Sequence, residues 1–156
     1  MSVTETEQLP VYVLPMRKMG ALVPAASIAE IIPYEPLQRV EESPDWLLGL
    51  LGWRGVQLPV VSFEMLTVER ASFSLFSVAS ASLVIIRGTS DQQSLPFYSL
   101  VAQTLPTAFD ITPEMLFETG EATARTEVSK VRFHNDVLSV PDLDYIETAL
   151  LDALMG

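Results

Sequence analysis

The feature that most narrows what this chain can become is the beat of its prolines and glycines. Between Pro10 and Pro59 they stand at positions 10, 15, 20, 24, 33, 36, 44, 49, 52, 55 and 59. No interval there holds a helix of ordinary length, about 11 residues, because proline removes a backbone donor and glycine costs backbone entropy. What fits is a succession of short strands. The apolar and alternating runs between the breakers supply them. Val11 to Met16, the turn "RKMG" and then "ALVP" read as a hairpin, and "SLVIIRG" (Ser82 to Gly88) is the clearest central strand.

The remaining segments follow the same logic. "ASIAEIIPY" either is a strand from Ile28 or opens with a brief helical turn. "EESPDWLL" has the signals of a one-turn helix, Ser43 as N-cap and Pro44 at its first position. Leu48 to Trp53 and Val56 to Ser62 form strand-like runs on either side of Arg54-Gly55. "LPFYSLVAQTL" reads as a strand, "DITPEML" as a turn or short helix start, and "TSDQQ" as a turn. The polar "GEATARTEVSK" leads into "VRFHNDVLSV", a hairpin turning at Asn135-Asp136. The serine-rich connection over residues 71–82 has no clear structural signal. At the end, Leu143, Ile146, Leu150, Leu151 and Leu154 recur at helical spacing, and Asp144 with Glu147 makes a capping box. This amphipathic helix, 143–154, is expected to pack on its own domain. "RGVQLPVVSF" and "NDVLSVPDL" echo one another as a turn followed by an alternating run, as two related barrels would.

A chain of 156 residues is enough for one compact domain over about 8–154, or two small sub-barrels sharing a core. Hydrophobic residues are 49% and charged ones 19%, which leaves apolar surface over for partners. Nine basic against twenty acidic residues give a net charge of -11, which repels a phosphate backbone and argues against nucleic acid as a partner. The absence of cysteine removes disulfides and thiolate chemistry. "MSVTETEQLP" lacks the basic and apolar regions of a secretory signal, and no run reaches the roughly 18 apolar residues that cross a bilayer. The expectation is a cytoplasmic protein without direct membrane insertion.

Few residues invite chemistry. His134 is the only histidine, and no second ligand stands at metal-site spacing, so a solvated or hydrogen-bonded turn residue is the favoured reading. No G-x-S-x-G elbow and no phosphate-loop glycine spacing appears. Glu41-Glu42 and Asp142 with Asp144 read as solvated or capping acids, and Trp46 and Trp53 as rim or core residues. No cofactor, metal or enzymatic activity is expected. A ligand-binding or hydrolytic barrel built on His134 is the alternative, and a homo-oligomeric ring component using edge strands is a third.

Arg54 is the residue that stands out. It lies in "LLGLLGWRGVQLPVVSF", an otherwise almost wholly apolar stretch, yet at a turn between two strands. Its stem can pack while its planar fork takes a carboxylate or backbone carbonyls. Arginine beside tryptophan is also the composition of interface hot spots. A docking contact and a tie between two loops of its own fold are equally compatible with the residues.

"PDWLLGLLGWRGVQLPVVSF" resembles the signature of the CheW-like coupling proteins of bacterial chemosensory arrays: a Pro, a Gly, an Asn-Leu-Arg-Gly turn and a Pro-Val-x-Asp-Leu strand. Gly49, Arg54, Gly55, Pro59 and Val60 fall in register. "SIAEII" resembles the family's Val-x-Glu-Ile segment, with Ile28, Glu30 and Ile31 matching, and the likeness runs from about Val11 to about Leu151. The resemblance implies an all-β fold of two five-stranded SH3-like β-barrels packed on a shared hydrophobic core, with a C-terminal α-helix. The first barrel is expected over about 10–66 and the second over about 80–142. It further implies a non-enzymatic adaptor that ties a CheA-type histidine kinase to the cytoplasmic tip of methyl-accepting chemoreceptors. Arg54, Gly49, Trp53, Gly55, Ile28 and Glu30 would lie on the partner-facing surface. Trp53 stands where the family has Leu, Gly52 where it has Asn, and Ser62-Phe63 where it has Asp-Leu; "LPFYSLV" lacks the family's glycine and Val-Asp pair. With these departures, both the general chemotaxis coupler and a divergent member serving another array, such as one that controls type IV pili and twitching, stay open.

Overall fold

In the computed structural model, residues 8–68, 79–89 and 93–155 are described. The first half carries β1 (Leu9–Pro15), β2 (Gly20–Pro24), β3 (Ile28–Pro33), β4 (Leu47–Trp53), β5 (Val56–Val61) and a short helix α1 (Phe63–Thr67). The second carries β6 (Ser82–Arg87), β7 (Phe97–Ala102), β8 (Thr107–Ile111), the two-residue β9 (Phe117–Glu118), β10 (Glu127–Phe133), β11 (Asp136–Pro141) and α2 (Leu143–Met155). The strands form two sheets, one ordered β8-β1-β2-β11-β10-β9 and the other β3-β6-β7-β5-β4. The all-β class, the paired barrels and the terminal helix are as expected; one sheet has β9 as a sixth strand.

The sheets do not follow the expected division at 10–66 and 80–142. Hairpin β1–β2 leaves its own half to lie beside β8 and, in parallel, beside β11. Hairpin β6–β7 does the reverse, pairing with β3 and running parallel to β5 through Val60↔Ser99. Each barrel is therefore completed by a hairpin from the other half of the chain. The two halves repeat the same order, β1 to β5 and α1 matching β6, β7, β8, β10, β11 and α2, with β9 as an addition. Along the hairpins the match is one constant offset: Trp53↔Val56 and Phe133↔Asp136 close the two turns. The weak sequence echo is the visible part of this repeat.

The exchange places one core between the sheets and one inside each barrel. The shared core gathers Leu14, Ala21 and Val23 from one sheet, Val61, Val84, Ile86, Tyr98 and Leu100 from the other, and Ile146 and Leu150 from α2. Leu51, Leu58, Leu83 and Ile85 fill one barrel, and Val11, Leu22, Val131, Phe133 and Leu138 the other. Strand β6 contributes to two of these cores, because Leu83 to Ile86 are all buried, the pattern of a strand covered on both faces.

The β1–β2 hairpin, the 3-10 turn Ala25–Ser27 before β3, and the 3-10 turn Pro113–Met115 follow the sequence reading. "EESPDWLL" forms turns and no helix; the Ser43 hydroxyl donates to the Val40 carbonyl at 2.7 Å instead of capping. Sheet pairing wins there, since Trp46 already accepts from the Ser62 N–H and Leu47 pairs with Val61. The second-half hairpin turns at His134-Asn135, one residue earlier than expected, because burying Val131, Phe133 and Leu138 fixes the register Phe133↔Asp136. The serine-rich connection and the "TSDQQ" turn lie largely outside the described residues.

Helix α2 packs on its own domain through Ile146 and Leu150, each worth about 1.5–3 kcal/mol when fully buried. Its N-cap is Asp142, whose Oδ1 accepts from the Tyr145 N–H at 3.1 Å, so the expected capping box at Asp144 is corrected by one turn edge. Glu147, freed from that role, is completely buried and accepts from the Tyr98 hydroxyl at 3.1 Å and the Thr89 N–H at 2.9 Å. Burial first, and then the Glu147 carboxylate, push the Tyr98 phenol well above its ordinary value.

Candidate functional site

The two-residue turn between β4 and β5 needs positive φ at both positions, and Arg54 and Gly55 adopt 48° and 81°. This is the twist-matched hairpin turn, which glycine enters freely and arginine at some cost. The turn lifts Arg54 out of the apolar stretch that surrounds it in sequence. Its side chain is 69% exposed.

The guanidinium is nonetheless held. Arg54 Nη2 lies 3.2 Å from Glu30 Oε1, and the Trp53 indole Nε1–H donates to the same oxygen at 2.8 Å. Arg54 Cζ sits 5.0 Å from the Trp53 ring centroid, within cation–π range. Trp53 in turn meets Phe97 of β7 edge to face, centroids 4.9 Å apart at 62°. Glu30 and Trp53 belong to β3 and β4, the opposite edges of their sheet. The clasp therefore closes the barrel seam at this end. Further along, Gln38 and Leu50 exchange backbone hydrogen bonds of 2.9 and 2.7 Å and close the seam again.

Both edges are bent to make this possible. The β3–β6 ladder slips between Ile28 and Glu30, and the β4–β5 ladder between Leu47 and Gly49. Such bulges increase local twist and re-aim side chains, and here the first precedes Glu30. Arg87 braces the start of β3 by donating from Nη1 to the Ala26 and Ile28 carbonyls at 2.8 and 2.7 Å.

Of the residues expected at a partner surface, the structure gathers Glu30, Trp53, Arg54 and Gly55 at one barrel end, with Ile28 at the beginning of the strand that carries Glu30. Gly49 differs: it is buried, and a Cβ there would stand 2.7 Å from the Gln38 carbonyl oxygen and 2.9 Å from the Leu37 Cβ. Its visible role is to let the 37–38 segment approach β4. Phe97 was not singled out in the sequence, and Arg87 neither; their part depends on which strand lies beside which, and no local signal carries that.

His134 occupies the corresponding turn of the other barrel, with φ 55°. Its ring packs against Phe133 at 4.2 Å and Phe109 at 6.2 Å between centroids. Among the described residues no cluster of three or more acids and histidines that could hold a metal is found, and no helix is long and apolar enough to cross a membrane.

Comparison with known proteins agrees with this geometry. The family model of the CheW-like domain matches residues 11–143. The crystal structure of a scaffolding protein, TtCheW from Thermoanaerobacter tengcongensis, superposes with a TM-score of 0.71 over 92% of this chain and 90% of that one, at 10% sequence identity. No curated protein matches the sequence significantly.

Proposed function

The chain belongs to the CheW-like domain family, and from that premise we propose that it is a non-enzymatic adaptor, coupling a CheA-type histidine kinase to the cytoplasmic tip of methyl-accepting chemoreceptors. The observation that carries the reading is the Arg54 end of the barrel. A guanidinium that is 69% exposed, yet pinned by Glu30 and Trp53, is a pre-ordered donor on a rigid scaffold. Arginine and tryptophan together at a turn are what a protein-protein hot spot is made of. The surplus of apolar residues and the acidic surface fit a protein partner in the cytoplasm and disfavour nucleic acid.

Departures at Gly52, Trp53, Ser62 and Phe63 favour a divergent array, such as one controlling type IV pili and twitching, over the general chemotaxis system. The His134 alternative has no comparable support, since that imidazole is packed on two phenylalanines at an exposed turn. Mixing the full chain with a kinase regulatory domain and a receptor signalling hairpin, then fractionating by size, tests the adaptor reading. Co-elution with either supports it; separate elution from both at low salt contradicts it.

A further inference from the structure

The geometry points to Trp53 as a positioning residue of this docking end, one that orders Arg54 to receive a carboxylate flanked by apolar side chains on the partner. The inference rests on the adaptor reading for its partner, but its structural half stands on the free protein. One indole serves both charged groups: its N–H holds Glu30 Oε1 at 2.8 Å, and its ring lies under Arg54 Cζ at 5.0 Å. The shared oxygen then takes Arg54 Nη2 at 3.2 Å. A leucine, which stands here in the pattern this stretch resembles, has neither an N–H nor a π face. Phe97, meeting the indole edge to face, fixes the ring from a neighbouring strand.

The opposite barrel shows that the fold does not require this clasp. There Phe133 meets Phe109 edge to face at 5.0 Å, and His134 completes the turn with no ion pair among the described residues. A hairpin of the same length thus ends on aromatic packing with no charged clasp among the described residues. The added acid, indole and guanidinium serve something besides closure.

The recognition chemistry follows. Arginine has five N–H donors in a planar fork, and among the described residues Glu30 is the acceptor that Arg54 engages. The rest of the fork is open to a carboxylate from outside. Trp53 and Phe97 are half-buried, and Val56, cross-strand from Trp53, is exposed. They offer apolar ground beside the charge. Ordering the long arginine stem beforehand removes an entropic cost that docking would otherwise meet.

Two measurements on the full chain test this. In the isotope-labelled free protein, the Arg54 Nη2–H resonance, at the nitrogen that meets Glu30, should be resolved and sharp. It should broaden or vanish in Trp53→Phe, which keeps a ring but loses the N–H, and in Glu30→Gln; an unchanged resonance in both overturns the positioning role. In titrations with the kinase regulatory domain and the receptor hairpin, Trp53→Phe should weaken binding about tenfold, and add nothing once Arg54→Ala is present. Equal weakening with and without Arg54 would make Trp53 a direct contact and overturn the inference. If Arg54→Ala leaves both affinities unchanged, the docking role of this end falls and the inference with it; if the wild type binds neither partner, it is the adaptor reading that falls, while the resonance still decides the positioning role.

Discussion

The two barrel ends are built from the same parts and differ in what they hold. Each has a hairpin with a bulge five to seven residues before the turn, at Leu47/Gly49 in one and Glu127/Ser129 in the other. Each places an aromatic residue just before the turn, Trp53 or Phe133, edge to face on a phenylalanine of another strand. Each is followed by a helix with a side-chain cap, Ser62 or Asp142. Yet one turn carries an arginine clasped to Glu30, and the other a histidine stacked on phenylalanine. The strand carrying Glu30 has its own bulge, whereas its counterpart β8 pairs regularly with β1. Packing is the shared requirement of the fold, and among the described residues an ion pair stands at one end only. That asymmetry is what we assign to partner recognition.

The largest expected break in the comparison is Gly49→Ala against Ser129→Ala. A Cβ at Gly49 would strike the Gln38 carbonyl, in a backbone conformation with φ 152°, and should cost about 3 kcal/mol. Its counterpart Ser129 already carries a side chain, and truncating it should change stability by less than about 0.5 kcal/mol. Urea denaturation of the pair reads both numbers; equal losses would show that the two seams are not built differently.

Next comes the helix contact. Glu147→Ala leaves the buried Tyr98 hydroxyl and Thr89 N–H without this acceptor and should cost about 2 kcal/mol. Tyr98 also fixes the sign of an alkaline effect. Its folded-state value is raised above the unfolded 10.0, so it contributes stability below that pH and loses it as the pH rises further. Tyr98→Phe should therefore flatten the decline of thermal stability above pH 10, at a cost of about 1 kcal/mol near neutrality. An unchanged alkaline slope would contradict the burial of that phenol. The smallest effect is expected for His134→Ala, within about 0.5 kcal/mol by denaturation, since the turn is exposed and its packing is shared with Phe133.

Much of this was legible in the sequence because it is local. "SLVIIRG" is apolar on both faces and became a strand buried on both. Arg54-Gly55 sat between two strand-like runs and became their turn. The exchange of hairpins between halves was not legible, because β6–β7 and β1–β2 read as hairpins whichever sheet receives them. The same non-locality hid the clasp: Glu30 and Arg54 were each noticed, but only closure of the seam puts them 3.2 Å apart. The resemblance puts Gly49 on the partner-facing surface, whereas in the structure it is buried against the backbone of Gln38. Asp144 and Glu147 fit the spacing of a capping box, but Asp142 caps the helix and the buried Tyr98 hydroxyl holds the glutamate.

The central claim is that the charged end, and not its packed counterpart, meets the partner. Titrating the kinase regulatory domain and the receptor hairpin with wild type, Arg54→Ala and His134→Ala tests it directly. Arg54→Ala should weaken at least one of the two by about 2 kcal/mol, near thirtyfold, while its own stability falls by no more than about 1 kcal/mol, the scale of an exposed ion pair. His134→Ala should bind as wild type does. Full affinity of Arg54→Ala for both partners, or an equal loss in His134→Ala, would contradict the account.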